Sequence, residues 1–241
     1  MSSLLPNFFE SAGSPVPMTE LDLPSHATAA AAPSILAQIV NPGINLAIFE
    51  RPPSQTCLSS VEALMQSRVP IRIDFKNPST ADLATAIAAA IASGIPRSSV
   101  RALASDISHL ASLFSATAGT LHPRVRLERV DDDGCALFHA DSLNLRLLCT
   151  YAGPGTEWLE NSNTRRHELG LRSRTLDEAN ADIVVDPSRI RRLAPWHVAI
   201  FSGRSRPGAE DNALIHRSAP VLSANTPRLR LCIDLPGDCG C

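Results

Sequence analysis

Apolar and polar residues change rhythm twice along the chain. Ile44 to Phe49 (INLAIF) is a short apolar run stopped by Arg51-Pro52-Pro53, the signature of a buried strand. Val69 to Phe75 then alternates, with Ile71, Ile73 and Phe75 on one face, and predicts a second strand. Helical spacing follows. Ser79 sits where an N-cap belongs and Asp82 where a capping acid belongs. Leu83, Ile87 and Ile91 recur a turn apart until Gly94–Pro96. Leu103, Ile107, Leu110 and Phe114 predict a second helix closed near Gly119. Each helix carries one apolar stripe and needs a sheet to cover.

Beyond Val125 the short period returns. Val125 to Val130 alternates, Asp131 to Gly134 reads as a turn, and Leu137 to Tyr151 reads as strand, connection, strand. Gly153-Pro154-Gly155 breaks the run and Thr156 to Leu159 resumes it. Residues 161–180 are polar and Arg-rich and predict a long surface loop. Ile183–Val185, Val198–Phe201, Ala213–Ile215 and Leu229–Leu235 predict further strands. Many short strands at near-regular spacing indicate a sandwich or barrel. The expected fold is α+β, with N-terminal helices packed on a C-terminal barrel. The expected segments are a Ser/Pro/Ala-rich mobile leader (1–34), a strand and two-helix buttress (35–122), a β core (123–235) and a Cys-containing tail (236–241).

Charge narrows the function classes. The chain has 241 residues, with 22 Lys and Arg against 24 Asp and Glu. That balance argues against nucleic acid as the main partner, because a phosphate-binding surface needs a clear cationic excess. No apolar run is long enough to span a bilayer. Ala27–Ala32 follows Glu20 and Asp22 without a basic segment before it, so it does not read as a secretory signal. Cys57, Cys135, Cys149 and Cys232 stand singly among apolar neighbours, the pattern of buried thiols in a reducing compartment, and a cytoplasmic location is expected.

The candidate chemistry lies in the β half. His139 and Asp141 are two apart in a strand-like stretch, so both side chains project from one face. His216 lies at the end of another apolar run. If the sheet closes on itself, the three form a facial set of two imidazoles and one carboxylate, which leaves positions open on an octahedral metal. The last strand carries Arg228 and Arg230 on one face and Leu229, Leu231 and Ile233 on the other. An Arg beside such a pocket is a natural clamp for a carboxylate.

The order His139-x-Asp141, His216, Arg228 resembles that of the iron(II)- and 2-oxoglutarate-dependent dioxygenases. That resemblance implies a double-stranded β-helix (a jelly-roll or cupin-like barrel) buttressed by preceding helices. It implies iron at His139, Asp141 and His216. It assigns the far carboxylate of 2-oxoglutarate to Arg228, with Arg230 as the alternative and a hydroxyl from Tyr151 or Thr156. Most of the chain is also similar to a bacterial family of unknown function, the domain numbered eighteen twenty-six. The segments that carry this are INLAIFERP (Ile44–Pro52), His139-Ala140-Asp141, LRLLCTYAGPGTEWLEN (Leu145–Asn161) and IHRSAP (Ile215–Pro220). That second resemblance implies a metal theme: a neighbourhood of zinc homeostasis and a metallochaperone GTPase as partner.

Other readings stand beside these. His139 and Asp141 also suit a plain structural hydrogen bond, and Arg228 suits a solvated strand face. Cys239-Gly240-Cys241 suits a second metal or redox site as well as a mobile end. Gly153 to Thr156 lacks the Lys of a phosphate loop, and no Gly-x-Ser-x-Gly elbow or dinucleotide fingerprint occurs. His109, His122, His167 and His197 read as surface or structural histidines, and Arg165, Arg166, Arg172 and Arg174 as a solvated loop. Two function classes therefore follow: an oxygenase of the iron/2-oxoglutarate type, or a non-catalytic protein that stores or relays zinc. A metal-free barrel acting as a binding module is the third.

Overall fold

The computed structural model describes residues 23–66, 70–76, 78, 83–91, 97–221 and 226–238. A seven-stranded sheet forms its frame, in the order β1-β2-β8-β5-β10-β4-β3. These strands are β1 (Ala27–Ala30), β2 (Leu46–Phe49), β3 (Arg72–Phe75), β4 (Arg124–Val130), β5 (Leu145–Ala152), β8 (Val198–Ser202) and β10 (Arg228–Asp234). Only β1 and β2 run parallel; the other neighbours are antiparallel. A smaller sheet, β7-β6-β9, is made of β6 (Glu157–Leu159), β7 (Arg191–Arg192) and β9 (Ile215–Arg217). One isolated bridge joins His139 to His216 and extends that sheet past β9. From β4 onward the chain passes back and forth between the two sheets, so residues distant in sequence meet between them.

Strand alternation divides the large sheet into two unlike faces. Val125 and Leu127 of β4, Leu147, Cys149 and Tyr151 of β5, Ile200 of β8, and Leu229, Leu231 and Ile233 of β10 share one core. Helices α1 (Gln55–Gln66), α2 (Leu83–Ile91) and α3 (Arg97–Ala118) cover it. The stripe predicted for α3 is the one it buries: Leu103, Ile107, Leu110 and Phe114 have no exposed surface. The intervening positions Leu148, Ala199, Phe201 and Cys232 face the other way. They pack with Trp158 and Leu214 of the smaller-sheet side. Arg126, Arg146, Thr150, Arg228, Arg230 and Asp234 share that second face by the same alternation.

An ion pair pins the helices to the sheet. Arg51, just after β2, donates both terminal nitrogens to the Asp106 carboxylate of α3, at 2.6 and 2.9 Å. Its Nε donates to the Trp196 carbonyl at 3.0 Å, and the Tyr151 hydroxyl donates to Asp106 at 2.7 Å. The carboxylate thus ties a helix to two segments of the sheet layer.

Several expectations need correction. Part of the segment expected as a mobile leader is built into the fold: Ala27–Ala30 is β1, paired residue by residue with Leu46–Phe49. Gln55–Gln66 is a helix that no expectation included; Cys57, Val61, Leu64 and Met65 form its buried stripe. Residues 161–180 are not one loop. Two short 3-10 turns precede α4 (Leu176–Ile183), which starts at a capping box between Thr175 and Glu178. The strand expected at Ile183–Val185 is absent there, because Ile183 ends α4 and only Val184 makes a bridge, to Thr164. The strand expected at Ala213–Ile215 begins at its last residue, Ile215. The Ser79–Asp82 cap and the Gly94–Pro96 stop lie outside the described residues, as do Cys239 and Cys241.

Candidate metal centre

His139, Asp141 and His216 come together between the sheets. Each offers one ligand atom, and these atoms lie within 4.8 Å of one another. The segment carrying His139 is irregular chain rather than a full strand, so something else must hold it. Reciprocal main-chain hydrogen bonds between His139 and His216, each 3.0 Å, fix one side. On the other, the Asn180 amide of α4 accepts from the Phe138 N–H at 2.9 Å and donates to the Ala136 carbonyl at 3.0 Å. A side-chain amide there does the work of a neighbouring strand.

Asp141 follows on a tight stretch. Its carbonyl accepts from Arg204 N–H, while Gly203 N–H bonds the Asn144 carbonyl. A methyl group on Gly203 would collide with the Leu143 carbonyl oxygen, so the close approach requires glycine. His216 lies mid-way in β9, opposite Trp158, with its ring 4.6 Å from that of Phe201.

The imidazoles are oriented alike. His139 Nδ1 lies 2.8 Å from the Leu137 carbonyl and His216 Nδ1 lies 3.3 Å from the Leu214 carbonyl, in each case two residues back. A carbonyl can only accept, so a neutral ring in that position keeps its proton on Nδ1 and presents a bare Nε2. The two Nε2 atoms face the Asp141 carboxylate, at 3.3 Å from Oδ1 and 3.6 Å from Oδ2. With both rings neutral, lone pairs converge on lone pairs, an arrangement that suits a cation. The donor set of two imidazole nitrogens and a carboxylate oxygen suits a first-row divalent metal with open positions.

Burial acts on both acid–base partners. It pushes the Asp141 carboxyl up, but the His216, His139 and Arg146 groups beside it outweigh that and hold it well below the ordinary carboxylate range. Burial lowers His216 to about 4, against the opposing pull of Asp141. Both residues are thus in their ligating forms at neutral pH.

Behind Asp141 runs a chain of buried charges that the sequence reading missed. Arg146 donates to Asp141 Oδ2 at 2.6 Å, and its Nε and remaining terminal nitrogen grip Asp234 at 2.6 and 3.0 Å. Arg126 donates to the same Asp234 at 2.7 Å. The register pairing Arg146 with Asp234 across β5 and β10 makes this geometry automatic.

The cleft at this centre is lined by Cys135, Leu148, Thr156, Ser218 and Arg230 besides the three donors and Arg146. Arg228 lies behind Thr156. It has no exposed surface, donates to the hydroxyls of Thr150 and Thr156 at 3.2 and 2.9 Å, and leaves Nε and its other terminal nitrogen without a partner among the described residues. Burial first, then the nearby Arg230 charge, lowers it to about 10. Arg230 pairs with Glu128 at 3.1 Å, and its Nε has no partner among the described residues. Tyr151 is a correction: a bulge between Leu229 and Arg230 of β10 leaves it without a strand partner, and its ring lies on the helix face against Trp196, away from the cleft.

The family described as Protein of unknown function (DUF1826) matches residues 30–234. The chain belongs to that family. The match includes every residue placed around the centre and stops short of Cys239 and Cys241. No curated protein matches the chain. Among solved structures, the dioxygenase for auxin oxidation 1 of Arabidopsis thaliana, in a binary complex with 2-oxoglutarate, is 13% identical. The alignment covers 88% of this chain and 92% of that one, with a TM-score of 0.44. Among the described residues, no helix is long and apolar enough to cross a membrane.

Proposed function

We propose that the chain is an oxygenase of the iron(II)- and 2-oxoglutarate-dependent type, on a double-stranded β-helix. The observation that carries this reading is the convergence of two carbonyl-oriented imidazoles and one buried carboxylate within 4.8 Å. The passage of the chain between a large and a small sheet, with the helices outside the large one, agrees with that fold.

His139, Asp141 and His216 would hold the iron. When bound, iron would supply the oxidising chemistry, in which 2-oxoglutarate, dioxygen and a substrate C–H yield succinate, carbon dioxide and the hydroxylated substrate, one oxygen atom going to each of succinate and substrate. The protein's own residues do the rest. Nδ1 hydrogen bonds keep both rings turned toward the carboxylate. A buried guanidinium with unsatisfied N–H groups needs an anion. Arg228, or Arg230 at the cleft wall, would bind the distal carboxylate, with the Thr156 hydroxyl between them. Phe201 and Leu148 keep water from the inner wall.

Anaerobic purification followed by metal analysis, then incubation with iron(II), 2-oxoglutarate and oxygen, tests the proposal. The expected result is succinate release that is lost in His139→Ala and retained in His197→Ala. Protein that holds zinc tightly and releases no succinate would instead favour the storage or relay reading.

A further inference from the structure

Every ionised side chain in the chain of charges behind Asp141 has a partner, and the charges alternate: Arg126, Asp234, Arg146, Asp141. Asp141 and Asp234 have no exposed side-chain surface. Burying such a series is costly, the Arg126 Nε lacks a partner among the described residues, and a hydrophobic replacement would serve stability as well. The series ends on the carboxylate of the proposed centre, where its effect on a cation is direct.

We propose that Arg146 and Asp234 are positioning residues that fix how Asp141 ligates metal. This rests on the metal-centre reading above and goes beyond it. Arg146 occupies Oδ2 with a short charge-assisted bond at 2.6 Å, nearer than His216 Nε2 at 3.6 Å, while Oδ1 faces His139 at 3.3 Å. The carboxylate is thereby held to one-oxygen ligation, which keeps other positions on the metal open. Asp234 has a separate task. It neutralises Arg146, so that Asp141 offers the metal a nearly undiminished negative charge. Without Asp234, two guanidinium groups would stand uncompensated behind the site and compete with the cation for Asp141.

The test is a cobalt(II) titration of the full chain, first freed of metal with a chelator, followed by visible absorption. Wild type, Asp234→Asn, Arg146→Lys and His139→Ala are compared, and the thermal midpoint of each is measured without metal. Asp234→Asn is expected to bind cobalt about 10- to 100-fold more weakly, as for other groups that orient a ligand. Arg146→Lys keeps the charge but cannot grip both carboxylates, so its cobalt band is expected to change as Asp141 becomes free to ligate through both oxygens. A purely structural pair would lower the midpoint and leave affinity and spectrum as in wild type; that result in both variants overturns the inference. Wild type that takes up no cobalt, or His139→Ala that binds as wild type does, removes the metal-centre reading itself and this inference with it.

Discussion

The two faces of the large sheet are made by the same strands, yet one buries an almost wholly apolar surface and the other sets a row of charges beside a smaller apolar cluster. Toward the helices, β5 presents Leu147, Cys149 and Tyr151, and the polar link among them is the Arg51–Asp106–Tyr151 cluster. Toward the smaller sheet, the same strand presents Arg146, Leu148 and Thr150, and the neighbouring β10 presents Arg228, Arg230 and Asp234. The helix face is a core that resists unfolding. The other face holds charges that no folding core requires. A stability defect and a chemical defect should therefore come from mutations one residue apart on a strand.

The largest effect that would break this contrast is on the charged face. His216→Ala is expected to abolish metal uptake, read by elemental analysis after anaerobic loading, while the fold persists by circular dichroism. On the helix face, Asp106→Ala strands Arg51 and the Tyr151 hydroxyl. It is expected to cost about 3–5 kcal/mol in urea unfolding and to leave cobalt affinity unchanged in the folded protein.

A smaller effect sharpens the comparison through pH. His26 accepts the Asn161 N–H at Nε2 and meets Asn45 through Nδ1, so it must stay neutral, and burial lowers its affinity for a proton. The unfolded chain then binds more protons than the folded one below the ordinary histidine pKa of 6.5. Metal-free stability is expected to fall as pH drops below that value, and His26→Gln should flatten the slope in a series of urea melts. The smallest effect belongs at the surface: Asp74→Asn, which breaks the pair with Arg124, is expected to change stability by about 1 kcal/mol or less.

The elements with strong periods were legible. Alternation marked β4 and β10, a short apolar run marked β8, helical spacing marked α3, and His139-x-Asp141 with His216 marked the cluster between the sheets. What escaped was short or depended on partners. α1 carries a stripe at helical spacing, Cys57, Val61, Leu64 and Met65, that was readable and was missed, and the Thr175–Glu178 capping box that starts α4 was readable but lay inside a stretch dominated by arginine. The direction of Tyr151 follows from counting alternate positions from Leu147, a step that the neighbouring glycines obscured. Arg146 and Asp234 could not be read as a pair, because their register is set by two strands far apart in the chain.

The junction at His139 and His216 has a mechanical consequence. One bridge pair, His139–His216, closed by two main-chain bonds, and one further bond from the Ser218 N–H to the Cys135 carbonyl join the irregular segment to β9 and its exit. An ion gripped by both imidazoles would act as a rivet at that narrowest stitch. Heat resistance should then climb with metal load, because whatever binds only the closed form opposes its opening.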